Sequence, residues 1–461
     1  MSILGAIAVP HPPIIVPEIG RGEEEKISAT AKAYKDAARF IAELNPQTII
    51  LPSPHSTAYT DYFHISPGRG AQGDFAQFGA GSVRLQADYD QEFIKTLTAL
   101  TGQAGLQAGT LGEREPRLDH GTMVPLYFLH QAGLGHIPIV RIGLSGLGDD
   151  AHYRLGQLIQ QTADQLDRRV VILASGDLSH KLKNDGPYGF AKEGPVHDQK
   201  IQEIFASADF LSLMQLSPDL REAAAECGVG SFEIMAGALD GLEVKAELLS
   251  YEGPFGVGYA VATFDVTGKS DSRRYLDRYI TEQRRQAAER KANEDPYVQL
   301  ARATLETYVR EGRQIDVPDG LPTEMTGERA GTFVSLKKHG RLRGCIGTIQ
   351  ATQGSIAEEI VGNAINAGTQ DPRFPPVTES ELPELVYSVD VLGDSEPAKI
   401  EDLDASRYGV IVTNGYRRGL LLPNLEGVDT PQEQIAIALS KAGIRPGEPY
   451  ELERFEVVRH K

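Results

Sequence analysis

Cysteine is nearly absent from this chain, and the two cysteines that occur stand far apart. They are Cys227 and Cys345 in a sequence of 461 residues, and no C-x-x-C pair exists. Structural zinc ribbons and small disulfide scaffolds both need several cysteines at short spacings. The cysteine content therefore argues against both of these protein classes.

Long apolar runs and an excess of positive charge are also missing. No uncharged apolar stretch approaches the about 18 residues of a membrane helix, and the N-terminus lacks the basic region of a signal peptide. Lys and Arg number 46 against 64 Asp and Glu, which gives a formal net charge of −18. A general nucleic-acid partner is therefore not expected, because phosphate binding needs clustered positive charge. We expect a soluble cytoplasmic protein without membrane contact.

The length and the pattern of apolar segments indicate two domains. In residues 1–268 short apolar strands alternate with helical stretches, which is typical of an α/β domain. Residues 269–295 are charged and nearly free of large apolar side chains, so we interpret them as a partly helical linker. Residues 296–461 hold an amphipathic helix and strands that do not alternate regularly, which favours an α+β domain.

Three apolar strands of the first domain are each followed by a histidine, namely His11, His55 and His180. Ligands of open α/β sheets bind beyond the carboxyl ends of the strands. Imidazole is a common metal ligand and a good general base. A single histidine at such a position usually caps or packs, but three in the same position predict a shared metal or catalytic centre.

His11 and His55 are the expected metal ligands, and several residues compete for the third position. Fe(II) oxygenases typically hold their metal with two histidines and one carboxylate. The glycines at 228 and 230 mark a break in the chain, so Glu226 and Cys227 lie where a side chain can turn inward. Glu233 lies in the helix that follows. We favour Glu226, because a carboxylate suits Fe(II) oxygen chemistry.

His180 is the expected acid/base group of this centre. Asp177 precedes it by three residues and is expected to orient it. The pair His197 and Asp198 either starts a helix or lines the mouth of the site.

The motifs of the first domain resemble the class III extradiol ring-cleaving dioxygenases, the LigB superfamily, and the related Memo proteins. The resemblance rests on the order of five elements along the chain, which are His11, His55, Asp119–Thr122, Ser175–His180 and the segment 226–239. It covers roughly residues 1–267.

This resemblance implies an Fe(II) dioxygenase that opens the ring of a catechol. The metal would be held by His11, His55 and Glu226, and a small aromatic diol would chelate it beside dioxygen. His180 would shuttle the proton, and His120 would line the substrate or oxygen pocket. Zinc or manganese would also suit two histidines and a carboxylate.

A Memo-like function without ring cleavage is the alternative. Memo proteins carry a cysteine in a Cys-Gly context that matches Cys227 and Gly228 of this sequence. If this cysteine is the ligand, the domain is expected to bind metal within a larger modification system. Metal-dependent hydrolysis is a third, weaker interpretation.

Cys345 marks the most distinctive segment of the second domain. It lies between Gly344 and Gly347, and such glycines indicate close backbone approach or positive φ. The surrounding cations would favour a nucleophilic thiolate, whereas a structural thiol in a tight turn is the plainer interpretation. These cations are Lys337, Lys338, Arg341 and Arg343.

The hexapeptide from Leu342 to Gly347, together with the loop 371–377, resembles the AMMECR domain family over about residues 296–458. The biochemical role of that family is not established. AMMECR and Memo-like domains occur together with a radical SAM protein in the AmmeMemoRadiSam system. The resemblance therefore implies a radical SAM protein as a partner.

Overall fold

A computed structural model describes residues 1–112, 114, 117–338, 340–425, 427–445 and 447–461, with Arg341 described by its backbone only. The chain divides into two compact units, Met1–Gln283 and Arg284–Lys461. A helix over Leu276–Asn293 crosses this boundary, within the segment predicted to be a charged linker. None of the described helices has both the length and the apolar character needed to cross a bilayer.

The first unit is built on a six-stranded sheet. Its strands, together with two small pairs outside the sheet, are β1 (Ile3–Val9), β2 (Thr48–Ser53), β3 (Phe63–His64), β4 (Gly70–Phe75), β5 (Ala80–Asp88), β6 (Ala108–Gly109), β7 (Ile139–Gly143), β8 (Val170–Ser175), β9 (Leu242–Glu252) and β10 (Tyr259–Lys269). The sheet has the order β7-β2-β8-β1-β10-β9, while β3 pairs with β6 and β4 with β5.

Helices cover this sheet and connect its strands. They are α1 (Pro17–Gly20), α2 (Ser28–Leu44), α3 (Gln91–Gln103), α4 (His120–Gln131), α5 (Asp149–Gln165), α6 (Glu193–Ser207), α7 (Phe210–Met214), α8 (Pro218–Ala224), α9 (Val229–Ala238) and the boundary helix α10 (Leu276–Asn293). Every residue of β2 and β8 is buried. Continuous apolar strands of this kind are typical of parallel sheets covered on both faces.

Glycine permits a close contact between helices α5 and α9 of the first unit. A Cβ atom at Gly156 would lie 2.1 Å from the carbonyl oxygen of Ile234, and one at Gly237 would lie 1.9 Å from that of Tyr153. Any larger residue at either position would push the two helices apart. The crossing fixes where α9 begins relative to the sheet.

Four strands run parallel and therefore end at the same edge of the sheet. Strands β7, β2, β8 and β1 pair in parallel, whereas β10 and β9 are antiparallel additions. The segments that carry His11, His55 and His180 leave this common edge. The prediction of an α/β first domain is confirmed.

The second unit is an antiparallel sheet with helices. Its strands are β11 (Thr332–Lys338), β12 (Arg341–Gly347), β13 (Leu385–Leu392), β14 (Glu396–Pro397), β15 (Tyr408–Asn414), β16 (Arg417–Leu421) and β17 (Glu451–His460), and its helices are α11 (Pro296–Glu311), α12 (Thr323–Gly327), α13 (Ile356–Thr369) and α14 (Pro431–Ala442). The strand order is β12-β11-β13-β17-β15-β16. Helices α11 and α13 pack on each other and on the first strands, and α14 packs on β15 and β16. The predicted α+β class is confirmed.

The segment around Cys345 forms an edge strand rather than the tight turn considered from the sequence. It is β12, paired with β11. A Cβ atom at Gly344 would lie 2.1 Å from the carbonyl oxygen of Ala367 in α13. The glycine is therefore needed for close approach of strand and helix, as one of the two sequence interpretations expected.

Candidate metal centre

Three histidines converge at the carboxyl edge of the first sheet. His11 follows β1, His55 follows β2, and His120 is the first residue of α4. Each offers one ring nitrogen, and these three atoms all lie within 4.8 Å of one another. The Nε2 atoms of His11 and His55 are 3.0 Å apart.

Ser175, the last residue of β8, selects the tautomer of His11. Its Oγ lies 3.0 Å from Nδ1 of His11 and donates to the carbonyl oxygen of Gly121 over 2.6 Å. A hydroxyl has one proton, so the oxygen of Ser175 accepts the Nδ1 proton of His11. The Nε2 atom of His11 therefore keeps its lone pair for a metal, because the hydrogen bond at the other ring nitrogen fixes the tautomer.

Asp119 positions His120 by capping α4. Its Oδ1 accepts from the backbone N–H of Thr122 over 2.9 Å, and its Oδ2 accepts from the hydroxyl of the same threonine over 2.8 Å. An aspartate at the N-cap satisfies the free N–H groups of the first turn. His120 therefore enters the helix with a fixed backbone direction.

The same carboxylate also positions the loop that carries His55. Ser53 donates to Oδ1 of Asp119 and Ser56 donates to Oδ2, each over 3.0 Å. Arg141 donates to Oδ2 over 2.8 Å and to the oxygen of Ser56 over 3.0 Å. Burial would raise the pKa of Asp119, but Arg141 and these hydrogen bonds bring it below its ordinary value. Asp119 therefore stays ionised and joins two of the histidine segments.

All three histidines are neutral at neutral pH. Burial, followed by the nearby His55, lowers the pKa of His11 to about 3. Burial and the two other imidazoles lower the pKa of His120 to about 4. Burial also lowers the pKa of His55. Each ring therefore offers a lone pair rather than a second proton to an ion.

The donor set fits a transition-metal ion. Two nitrogens bound at a right angle, each about 2.1 Å from one ion, stand about 3.0 Å apart, which is the separation of the two Nε2 atoms of His11 and His55. Imidazole ligands suit iron, zinc, copper and nickel. The structure thus brings together the predicted ligands His11 and His55, and it adds His120, for which the sequence predicted a pocket-lining role.

The predicted third ligand, Glu226, is bound by Arg221 and by the first residue of α9. Its Oε1 accepts from Nε of Arg221 over 3.1 Å, and its Oε2 accepts from the backbone N–H of Val229 over 2.8 Å. Val229 begins α9, and a helix N-terminus attracts a carboxylate. Glu233 is fully buried and also faces Arg221, at 3.4 Å. Both glutamates therefore pair with Arg221 in this structure, and the identity of the third ligand stays a prediction.

Cys227 and Asp177 both stand beside His11. The Sγ atom of Cys227 lies 3.7 Å from Nε2 of His11, and Oδ2 of Asp177 lies 3.8 Å from it. Burial, followed by the charge of Asp177, raises the pKa of the Cys227 thiol well above its ordinary value. Burial raises the pKa of Asp177 to about 6. These two groups are additional candidate donors beside the three-histidine set.

His180 is oriented by a backbone carbonyl rather than by Asp177. Its Nδ1 lies 3.1 Å from the carbonyl oxygen of Leu178, which can only accept, so Nδ1 carries the proton and Nε2 is the free base. Asp177 instead accepts from the backbone N–H of His11 over 2.8 Å. The predicted orienting role of Asp177 therefore differs from what the structure shows. Its carboxylate holds the segment of His11, a candidate metal ligand.

The loop that carries His180 is held by Asp198. This carboxylate is buried in α6 and accepts from the backbone N–H of Ser179 over 2.8 Å and from the hydroxyl of Tyr251 over 2.7 Å. Nδ1 of His197 lies 3.0 Å from the same carboxylate. His197 and Asp198 are therefore both buried, and Asp198 supports the loop that carries His180.

A cleft of about 1070 Å³ opens on the histidines. His55 and His120 form part of its wall, and much of the remaining wall comes from the β4–β5 hairpin and from the segment before α4. A substrate in this cleft would reach two of the three candidate ligands directly.

Two of the four cations predicted to activate Cys345 pair with glutamates. Arg343 pairs with Glu381 over 2.8 Å and Lys338 pairs with Glu384 over 3.1 Å, while the side chain of Arg341 lies outside the described part of the chain. The Sγ atom of Cys345 accepts from the hydroxyl of Ser335 over 3.2 Å. The nucleophile hypothesis for this thiol thus stays a prediction.

Sequence reasoning missed Ser175, Asp119 and Arg141 as supports of the centre. The pattern of Asp119 followed three residues later by Thr122 is a helix-start signal. It could have placed His120 at the first position of a helix, facing the sheet edge. No comparable local signal exists for Arg141, whose partners lie far along the chain.

Comparisons with known proteins agree with this two-part architecture. A family model described as the catalytic LigB subunit of aromatic ring-opening dioxygenase matches residues 5–262, and an AMMECR1 family model matches residues 298–460. Protein CA_C1420 of Clostridium acetobutylicum is 41% identical and aligns over 100% of both chains. A protein of Thermotoga maritima is 52% identical over 171 residues, which are 36% of this chain and 98% of its own.

Two solved structures are also similar to parts of the chain. The uncharacterized protein PH0010 from Pyrococcus horikoshii is 32% identical, with 35% of this chain and 88% of its own covered and a TM-score of 0.34. The uncharacterized protein JW3007 from Escherichia coli K12 is 14% identical, with 57% and 99% covered and a TM-score of 0.39. The family matches and the full-length relative show that the chain belongs to the LigB family of aromatic ring-opening dioxygenase subunits and carries an AMMECR1 domain after its LigB domain.

Proposed function

We propose that the first unit is a metal-dependent dioxygenase that opens the aromatic ring of a catechol-bearing substrate. The observation that carries this proposal is the cluster of three neutral imidazoles, from His11, His55 and His120, in a LigB-family domain. Two of them, His55 and His120, line a large cleft. When bound, Fe(II) supplies open coordination positions at which a diol and dioxygen meet.

The protein's own contribution to the reaction is proton transfer and positioning. The Nε2 atom of His180 carries the lone pair, because Nδ1 donates to the carbonyl of Leu178. It is therefore the atom that takes a proton from a substrate hydroxyl and returns it later. The hydrogen bonds of Ser175 and Asp119 keep the imidazoles in place while the substrate binds.

Oxygen uptake tests this proposal. Protein loaded anaerobically with Fe(II) should consume dioxygen with at least one member of a broad catechol panel. His180→Ala should keep its iron and lose oxygen uptake at least 100-fold, as expected for removal of a general acid/base. His136→Ala changes an exposed histidine of the same unit and should leave uptake unchanged. Iron-loaded protein that turns over none of the panel would contradict the proposal.

A second candidate function is a Memo-like metal-binding module that works with a radical SAM protein and cleaves no ring. It is favoured by the position of Cys227, whose sulfur lies 3.7 Å from Nε2 of His11 while Glu226 faces Arg221. Co(II)-substituted protein distinguishes the two functions. A thiolate-to-cobalt absorption band that disappears in Cys227→Ser would favour the module, and its absence in the wild-type protein would favour the dioxygenase.

A further inference from the structure

We propose that Arg221 is a positioning residue of the metal centre, which acts through the end of helix α8 on both His180 and Cys227. The inference rests on the proposed function, because it gives Arg221 a part in the reaction attributed to His180. Arg221 lies in α8 and is not one of the three clustered histidine ligands. Its influence reaches the site through the backbone that follows it.

The guanidinium of Arg221 joins three helical segments of the first unit. Its Nη1 atom donates to Oδ1 of Asp149, the first residue of α5, over 2.8 Å. Its Nε atom donates to Oε1 of Glu226 over 3.1 Å, and its Nη1 atom lies 3.4 Å from Oε1 of Glu233 in α9. The side chain of Arg221 is only 20% exposed. One largely buried guanidinium therefore holds α8 against α5 and α9.

The last residue of α8 supports the loop of the acid/base group. The carbonyl oxygen of Ala224 accepts from the backbone N–H of His180 and from the hydroxyl of Ser179, each over 3.0 Å. Carbonyl groups in the last turn of a helix have no partner within the helix, so these two bonds satisfy this one. A movement of the end of α8 therefore moves the backbone of His180.

The residues that follow α8 place Cys227 beside His11. Ala225 has a left-handed backbone with a φ of 51°, and its N–H bonds back to carbonyl oxygens of the last turn of α8. This is a tight helix end. Two residues later, the Sγ atom of Cys227 lies 3.7 Å from Nε2 of His11 and 3.7 Å from the carbonyl oxygen of Asp177. The end of α8 thus positions two groups of the site at once.

Loss of the guanidinium would displace α8 rather than its neighbours. Asp149 and Glu226 would then share a partly buried space without a cation, which is strongly unfavourable for carboxylates. Helices α5 and α9 are in backbone contact at Gly156 and Gly237, whereas α8 has only seven residues. The short helix is therefore the element that shifts, and it takes His180 and Cys227 with it.

The candidate metal ligands should not follow this shift. His11, His55 and His120 lie on other elements, and Ser175 and Asp119 hold them there. Replacement of Arg221 should therefore disturb His180 and Cys227 while the metal content stays the same. This combination distinguishes a positioning residue from one that only stabilises the fold.

Two measurements on the Zn(II)-loaded full-length protein test the inference without turnover. The first is NMR of [15N]histidine-labelled protein, in which the ring signals of His180 are assigned with His180→Ala. The second is the rate at which a maleimide modifies Cys227 in a Cys345→Ser background, where it is the only cysteine. In Arg221→Gln we expect the His180 signals to move and the labelling rate to rise at least tenfold.

Oxygen uptake by the Fe(II) protein adds a kinetic test. Arg221→Gln should lower kcat about tenfold or more and change KM less than about twofold, as expected when a general acid/base is misplaced. Arg221→Lys keeps the positive charge but not the forked geometry, so it should recover part of kcat. If no catechol is consumed, the proposed reaction fails, while the two Zn(II) measurements still decide whether Arg221 positions these groups.

Arg168→Gln is the matched control. The side chain of Arg168 is also 20% exposed and pairs with two carboxylates, those of Asp90 and Glu92. This variant should leave the His180 signals, the labelling rate and kcat unchanged.

Unchanged His180 signals and an unchanged labelling rate in Arg221→Gln would overturn the inference, and so would loss of its zinc. Should Arg221→Gln fail to fold, Asp149→Asn removes a single partner of the guanidinium. It should produce the same changes at smaller size, and their absence in that variant would be equally decisive against the inference.

Discussion

The guanidinium of Arg141 donates to the carboxylate of Asp119 over 2.8 Å in a place where Arg141 is only 1% exposed. Arg141 comes from β7, whereas Asp119 lies just before α4. The carboxylate in turn binds the hydroxyls of Ser53 and Ser56, which flank His55. A buried ion pair between two segments thus supports two of the three candidate metal ligands.

Removal of Arg141 should destabilise the first unit strongly. Arg141→Ala leaves the Asp119 carboxylate buried without its partner, and such changes cost about 3–5 kcal/mol of unfolding free energy. Chemical unfolding of the whole chain, followed by hydrogen exchange of peptides from α4 and β2, measures the loss. Arg154→Ala, at an exposed position of α5, should change stability by less than about 0.5 kcal/mol. Equal stability of both variants would refute the structural role given to the pair.

Measurements of metal affinity should distinguish the role of His120 from that of Glu226. His120→Ala removes one of the three clustered nitrogens, so we expect the affinity for Fe(II) or Zn(II) to fall at least 100-fold. Glu226→Gln should keep the metal, because its carboxylate bonds to Arg221 and Val229 rather than facing the histidines. Competition with a chelator of known affinity gives both values. Loss of metal in Glu226→Gln, with retention in His120→Ala, would restore the carboxylate prediction made from the sequence.

Substitution of Asp198 should slow proton transfer without changing the metal content. Asp198→Asn weakens its hydrogen bonds to Ser179 and Tyr251, and the loop with His180 loses its support. We expect oxygen uptake to fall about tenfold or more while iron content stays constant. Tyr251→Phe removes one of these bonds and should give a smaller loss. A lower iron content in Asp198→Asn, equal to that of His11→Ala, would show that the residue supports the metal rather than His180.

Acidic pH should lower the stability of the second unit, because it protonates Glu381. Partial burial would raise the pKa of this carboxyl, but hydrogen bonds from Arg343 and Thr378 lower it to about 2 from the ordinary 4.5. Because the folded-state pKa is lowered, the stabilisation is complete above pH 4.5 and is lost as the pH falls from 4.5 towards 2. Since solvent screens the pair of Glu381 and Arg343, we expect it to contribute roughly 1 kcal/mol to the free energy of unfolding.

Protection of β11 and β13 amides from hydrogen exchange, compared at pH 6 and pH 3, measures this effect. Glu381→Gln should lower protection at pH 6 and make the acid-induced loss smaller. Glu401→Gln changes an exposed glutamate of the same unit and should behave like the wild-type protein. An acid-induced loss of the same size in Glu381→Gln would assign the effect to other groups.

The fold class and the two-domain order could be predicted from the sequence because they depend on local patterns. Continuous apolar strands such as β8 identify a covered parallel sheet wherever they occur. The irregular succession of strands after residue 296 indicates an α+β arrangement in the same way. The β4–β5 hairpin was not predicted, because exposed polar residues such as Gln72 and Arg84 interrupt its apolar pattern.

The sequence by itself determined that His11 and His55 meet at one edge, since parallel strands end on the same side of a sheet. Only the tertiary structure decided which side chain lies beside these two as a third candidate ligand. Both Glu226 and His120 were candidates from the sequence. In the folded chain, Arg221 and the first turn of α9 bind the carboxylate of Glu226. Asp119 caps the N-terminus of α4, the helix that begins with His120. The direction of a side chain depends on partners that folding brings from distant segments, and strand patterns contain no information about those partners.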